Sequence, residues 1–290
     1  MKNYRAIFFD WDGTAVVSRK APVDEAVRVM KPLLSQGTKL IIVSGTTIEN
    51  IAGGNLESYF TKQELQNLYL GLGRGAYNYA FDENGKPFIF KNLIPNLDEL
   101  KKIHQICFDI HMELLEKYDF QTDIVFSRPN YCKIDLMVEC QRGDHLFMQE
   151  NELEMLRSCL EMHGIKDGLK GLLDLSEQIG RQCGIEVSAT CDAKYLEVGI
   201  SSKSDNVDTI YTMLREQFSI KPEECTFWGD EYVGIEDGIY GSDSYMKTEQ
   251  TKEGDFYDVS NMIGERPDGV KQVGGGVERF LEFLETQEER

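Results

Sequence analysis

Two carboxylates separated by one residue, Asp10 and Asp12, close the apolar run Ala6-Ile7-Phe8-Phe9 and are followed at once by Gly13 and Thr14. An uninterrupted apolar run of that length reads as a short strand buried on both faces. Strands of parallel α/β sheets present their chemistry at the carboxyl end, where the chain turns toward the next helix. Two acids placed there face one crevice and repel each other unless a cation sits between them. The pattern suits metal-assisted catalysis. Asp-Gly is also a common turn dipeptide, and an Asp after a strand often caps a helix, so the rest of the chain has to decide between the two.

Further strand ends carry comparable signals. Residues 39–43 form a second apolar run that stops at Ser44-Gly45-Thr46-Thr47, where hydroxyls and free amides at a helix start suit a phosphate, or simply cap that helix. Residues 68–71 run into Gly73-Arg74-Gly75, glycines that permit close backbone approach or merely turn the chain. Lys203 opens a helical stretch over 205–218, the usual place for a solvated lysine. The strand over 224–228 ends in Gly229-Asp230, with a second acid pair, Glu236-Asp237, six residues later.

The elements that must position these residues alternate as in a parallel α/β core. The spacing predicts a helix over 22–36 with Pro32 inside it, a helix over 96–118, strands over 123–127 and 131–138, a helix over 144–163, and strands over 185–190 and 195–199 around a turn at 191–194. Residues 82–87 are a turn signal. A core pattern resumes at 197–200 and continues through a short strand over 244–247 to a closing helix over 277–286. Two helices and several antiparallel strands between the pieces of a parallel core predict an inserted α+β domain over 84–192, with the core formed by 1–83 and 193–290.

Composition bounds the partners. The chain has 290 residues, 41% hydrophobic and 10% aromatic, with a formal net charge of −19. Such a surface repels nucleic-acid backbones and anionic membranes, and no apolar run approaches the length of a membrane span. An anionic substrate would therefore need local cations. Seven scattered cysteines without a Cys-x-x-Cys pair read as reduced core residues of a cytoplasmic protein, and the first strand starts too early to leave room for a signal peptide.

Asp10-x-Asp12-Gly-Thr, Ser44-Gly45, Lys203 and Gly229-Asp230 with Glu236-Asp237 stand in one order, and in that order the chain resembles the haloacid dehalogenase superfamily. More closely it resembles the sugar phosphatases and phosphomannomutases with a cap inserted between the second and third motifs. The resemblance implies a Rossmann-like core with an α+β cap and a magnesium-dependent phosphatase acting on a small phosphorylated metabolite, above all a sugar phosphate. It implies Asp10 as nucleophile and Asp12 as general acid and base, with Ser44 and Lys203 on the transferring phosphoryl oxygens. Magnesium would be held by Asp10, Asp230, the backbone carbonyl of Asp12 and an outer acid, taken as Asp237 with Glu236 as the alternative. Two departures stand out: Ser204 follows the lysine where this branch usually has Gly, and the last acid pair comes late. Substrate choice would lie in the cap, where Gly45 of the core could be joined by Arg128, Asn130 and Lys133, residues that equally suit an exposed strand face.

Two rival readings are a phosphomutase using the same aspartate pair and a non-catalytic binding protein on the same scaffold. The late acid pair leans toward the mutase. Against it, Arg128 is the only Arg between Arg74 and Arg142, few for a cap that grips a second phosphate. Four intact site residues count against the binding protein. His104, His111, His145 and His163 fall in the insert and lack metal-ligand spacing, so they read as surface or core residues.

Overall fold

The computed structural model describes residues 2–140, 150–192 and 194–288. The expected helix start at 144, with His145, and one residue of the 191–194 turn lie outside the described residues.

Strand β1 (Ala6–Phe9) is buried along its length, and its side chains alternate between two cores. Ile7 and Phe9 join one apolar cluster, Ala6 and Phe8 the other. That is the burial an unbroken apolar strand requires. Helix α1 (Asp24–Gln36) runs through Pro32 and closes on Gly37, at φ 97°. This left-handed terminus is one that glycine adopts without Cβ strain. Then come β2 (Lys39–Val43), the single turn α2 (Lys62–Leu65), β3 (Leu68–Leu72), β4 (Tyr77–Phe81) and β5 (Pro87–Asn92). The turn signal at 82–87 joins β4 to β5 as an antiparallel hairpin.

Next in the chain are α3 (Leu97–Tyr118), β6 (Asp123–Val125), β7 (Tyr131–Asp135), α4 (Glu150–Met162), α5 (Gly168–Gln182), β8 (Ser188–Cys191) and β9 (Tyr195–Gly199). The chain then continues through α6 (Lys203–Phe218), β10 (Cys225–Gly229), the hairpin β11 (Gly234–Glu236) and β12 (Ile239–Tyr240), β13 (Asp255–Asp258), β14 (Val270–Gln272) and α7 (Gly276–Gln287). The stretch expected to be a strand over 244–247 is a 3-10 turn, Ser242–Met246. Helix α5 has no counterpart among the sequence expectations; Gly168, Gly171 and Gly180 weaken its local helix signal.

Two compact units result. The first comprises Met1–Leu93, Lys203–Tyr232 and Asp243–Arg290, the second Ile94–Ser202 and Val233–Ser242. The first unit is built on an eight-stranded sheet of order β14-β13-β10-β1-β2-β3-β4-β5, parallel from β14 to β3 and antiparallel at β4 and β5. The second has an antiparallel sheet of order β6-β7-β9-β8, whose core includes residues of α3, α4 and α5. The fold class is thus the expected α/β core with an α+β insert, but its edges differ from 84–192. Residues 87–92 extend the first unit's sheet, whereas 195–199 pair with β7 and β8 in the second. A later segment also belongs there: Ile235 and Ile239 of the β11–β12 hairpin join the second unit's core. Among the described residues, no helix is long and apolar enough to cross a membrane.

One buried amide ties α6 to the sheet and so places Lys203, the first residue of that helix. Asn206, fully buried, donates from Nδ2 to the Tyr77 carbonyl at 3.1 Å and to Asn78 Oδ1 at 2.9 Å. Its Oδ1 accepts the Gly75 N–H at 2.7 Å. Gly71 makes room for this approach, since a Cβ there would lie 2.7 Å from that of Asn206. Asn206→Ala strands buried polar groups on β4 and in the β3–β4 turn, so urea unfolding is expected to show a loss of roughly 3 kcal/mol.

Candidate active site

Asp10 and Ser44 stand just past the carboxyl ends of β1 and β2, and Asp230 just past the end of β10. Because β1 lies between β10 and β2 with all three parallel, these residues share one edge of the sheet. Asp10 is 7% exposed and donates its backbone N–H to the Trp228 carbonyl at 2.9 Å, which fixes the turn that leaves the strand. Gly13, at φ 89°, lets this turn pass against Asp230; a Cβ there would sit 2.2 Å from Asp230 Oδ2. Thr14 Oγ1 donates to Asp230 Oδ1 at 3.1 Å.

The carboxylates of Asp10, Asp230 and Asp243 offer oxygens that all lie within 4.8 Å of one another. Lys203 Nζ reaches into this group, 2.9 Å from Asp10 Oδ1 and 2.7 Å from Asp243 Oδ1, with both carboxylate side chains and the lysine buried. Asp243 Oδ2 also accepts the Glu231 N–H at 2.8 Å. Gly229 permits that approach, because a Cβ would meet Asp243 Oδ2 at 2.3 Å.

Electrostatics follow from burial. Desolvation drives Asp10 well above the ordinary carboxylate range; Lys203 pulls it back, and Asp243 and Glu231 push it up again. Asp230 is driven up by burial and then by Glu231, Asp243 and Asp10. Burial works to lower Lys203, but Asp10, Asp243 and Glu231 more than reverse it, and the ammonium is held charged. Three crowded acids with one lysine retain excess negative charge, and hard oxygen donors at this spacing fit a small divalent cation.

Asp12 is raised by burial, an effect that Arg19 partly offsets from 3.2 Å away. Its Oδ1 is buried and has no hydrogen-bond partner, so one carboxylate oxygen remains uncommitted. Ser44 is buried and its Oγ accepts the Thr46 N–H at 3.4 Å, while Thr46 Oγ1 is buried without a partner. The hydroxyls of this turn are therefore the donors nearest to β2 in the chain.

Sequence reasoning identified Asp10, Asp12, Ser44, Lys203 and Asp230 for one sheet edge, and they fall in one unit. The outer acids it named, Asp237 or Glu236, lie in the second unit. Asp237 is exposed in the β11–β12 turn, and Glu236 Oε2 accepts the Leu169 N–H at the start of α5 at 2.6 Å. Both residues belong to the second unit, held there by Ile235 and Ile239 and by Arg157 Nη2 donating to the Ile235 carbonyl at 2.6 Å. Asp243, which no sequence signal singled out, gathers with Asp10 and Asp230, and the return of the chain after the hairpin brings it there. Arg19 was likewise missed as a partner of Asp12, because it acts through a turn rather than a motif, while Thr14 and Thr46 stood in the quoted motifs without a role of their own.

The expected substrate contacts divide in the same way. Gly45 lies in the first unit, beside Ser44. Arg128, Asn130 and Lys133 lie in the second. Lys133 Nζ pairs across the strands with Glu197 at 2.5 Å, and Lys194 pairs with Asp135 at 3.2 Å. Asn130 is buried, and Arg128 Nε is buried without a hydrogen-bond partner.

No protein-family model and no curated protein sequence matches the chain. Solved structures do. Trehalose-6-phosphate phosphatase of Aspergillus fumigatus (crystal form 3) is similar with a TM-score of 0.58 at 15% identity, over 99% of this chain and 93% of that one. The IMP-nucleotidase of Plasmodium falciparum, in an IMP-bound mutant, gives a TM-score of 0.56 at 13% identity over 98% of this chain. The chain spans 66% of that nucleotidase's length. At such identities the likeness is one of fold alone.

The raised acids make a stability prediction. A folded state with raised carboxyl values keeps protons that the unfolded chain has released. That contribution is fully present below the ordinary carboxylate range and is lost as pH climbs through the raised values. A divalent cation binds the deprotonated cluster, so added magnesium is expected to raise the melting temperature more at about pH 8 than at about pH 5. Thermal denaturation with magnesium and with chelator, at both pH values, checks this.

Proposed function

We propose that the protein is a magnesium-dependent phosphatase that hydrolyses a small phosphorylated metabolite, foremost a sugar phosphate, through an aspartyl-phosphate intermediate. The observation that carries this reading is the pairing of a buried Asp10, held by Lys203 beside Asp230 and Asp243, with an Asp12 that keeps one oxygen uncommitted two residues later. The two fold neighbours with phosphatase and nucleotidase names support the same class of reaction, one acting on trehalose 6-phosphate and the other having IMP bound.

Asp10, Asp230 and Asp243 would hold the cation, with the Asp12 carbonyl as a further oxygen donor. When bound, the cation neutralises part of the phosphate charge and lets an anionic nucleophile approach. An oxygen of the Asp10 carboxylate attacks phosphorus, and the bond to the leaving oxygen breaks as Asp12 gives that oxygen its proton. The Asp12 carboxylate then takes a proton from water. The resulting hydroxide attacks the phosphorus of the aspartyl-phosphate, releasing inorganic phosphate and restoring Asp10. The raised value of Asp12 suits the first of these roles, since a buried acid keeps its proton closer to neutrality. Lys203 and the hydroxyls of Ser44 and Thr46 are the donors assigned to the phosphoryl oxygens.

The second unit's cations favour hydrolysis over the mutase reading. Lys133 and Lys194 are already committed to Glu197 and Asp135, which leaves them poorly placed to grip a second phosphate. Seven free thiols support a reducing, cytoplasmic setting.

Phosphate release from a panel of sugar phosphates and nucleoside monophosphates, with magnesium or with chelator, tests the proposal. Release is expected to need magnesium and to vanish in Asp10→Asn, with the circular dichroism unchanged; wild-type rates in that variant would sink the mechanism. Conversion of a hexose 1-phosphate to the 6-phosphate without phosphate release would favour the mutase. Separately, Lys203→Ala removes a charged donor and is expected to lower kcat/KM about a hundredfold, on the order of 3 kcal/mol. An unchanged kcat/KM would reassign that lysine.

A further inference from the structure

Apart from the carboxylate cluster, the second unit holds a set of donors that the proposed reaction does not use. Glu139 and Cys140 lie in the turn after β7, while Cys159 lies in the last turn of α4 and His163 just past its end. Residues four apart share one face of a helix. One ligand atom each of Glu139, Cys159 and His163 lies within 4.8 Å of the others. Burial raises the Cys159 thiol, and that of Cys140, which follows Glu139 in the same turn, is close enough to raise it further.

Each side of this cluster is oriented by a second contact. His163 Nδ1 is 3.0 Å from the Tyr118 carbonyl oxygen, which can only accept, so Nδ1 carries a proton. Nε2 is thereby turned to Glu139 Oε2, at 2.9 Å. The remaining oxygen, Glu139 Oε1, accepts the Gln121 N–H at 2.7 Å, and the Cys140 N–H donates to the Met137 carbonyl at 3.1 Å. With a neutral ring, the Nε2 lone pair would face a carboxylate lone pair. That contact needs positive charge, from either a second ring proton or a cation. A carbonyl that fixes the tautomer of an imidazole is also the arrangement that orients metal-bound histidines.

We propose that Glu139, Cys140, Cys159 and His163 form a zinc site that fastens the turn after β7 to the end of α4. Two thiolates, one imidazole and one carboxylate are donors that zinc takes in tetrahedral geometry, and magnesium, which prefers oxygen ligands, does not compete for the thiolates. Four protein ligands leave no open position, so the site is structural. Zinc displaces both thiol protons on binding.

Cobalt reports on this site without any enzymatic assay. Full-length protein, reduced and stripped with chelator, is titrated with Co2+ and followed by absorption spectroscopy. The expected result is the thiolate-to-cobalt charge-transfer band together with strong tetrahedral d–d bands, saturating at about one equivalent and abolished by zinc. Asp230→Asn keeps these bands, because the carboxylate cluster has no sulfur. Cys159→Ser and His163→Gln lose them. Should either variant misfold by circular dichroism, Glu139→Gln, at the surface, is expected to shift the d–d bands with the fold intact. A wild-type protein that shows no thiolate band, or bands that survive in folded Cys159→Ser, would overturn the proposal.

Discussion

The interaction on which the site depends is the contact of one buried ammonium with two buried carboxylates. Lys203 reaches Asp10 and Asp243 at 2.9 and 2.7 Å in a setting where desolvation opposes the charge on Lys203 and on Asp10. Buried ions persist only when their partners are placed well enough to offset the loss of water. The surrounding fold meets that condition by letting backbone approach where side chains would not fit. Gly13 admits Asp230, Gly229 admits Asp243, and Gly71 admits the Asn206 side chain that seats α6. A Cβ at any of the three would force the charged group or its supporting helix away.

The same interaction explains how the chain is routed after β10. The strand ends at Gly229, and the chain then leaves the first unit for the β11–β12 hairpin, whose Ile235 and Ile239 are buried in the second unit's core. It returns at Asp243, whose carboxylate is met by Lys203 and by the Glu231 N–H. A short excursion, anchored apolarly at its tip and ionically at its return, sets the position of the third carboxylate. Glu236 serves a different purpose inside that excursion. Its carboxylate accepts the Leu169 amide at the start of α5, where an anion is favoured by the helix dipole.

Charge is also partitioned. With 50 acidic and 31 basic residues, cations are the scarce component of this protein. Those of the second unit's sheet are paired across strands, Lys133 with Glu197 and Lys194 with Asp135. In the first unit, Lys203 and Arg19 are set against the carboxylates of the candidate site.

The sequence by itself determined the parts that short-range physics encodes. The run Ala6-Ile7-Phe8-Phe9 reads as a strand buried on both faces with two acids at its carboxyl end, and Asp10, Ser44, Lys203 and Asp230 were legible together through the order in which their motifs stand. Periodicity also placed the long helix of the insert and most strands, while glycines hid α5. What only the tertiary structure decided is which distant residues meet. Asp243 meets Asp10 and Asp230 after a hairpin whose two isoleucines are drawn into another core, and no local spacing records that pull. Residues 195–199 read as returning core, yet pair with β7 because backbone hydrogen bonding between strands is settled by partners far away in the chain. His163, without any metal-ligand spacing of its own, faces Glu139 and Cys159 only because α4 packs where it does. Strand character and helix faces follow from neighbours within a few residues, whereas a cluster of donors depends on contacts made across the whole chain.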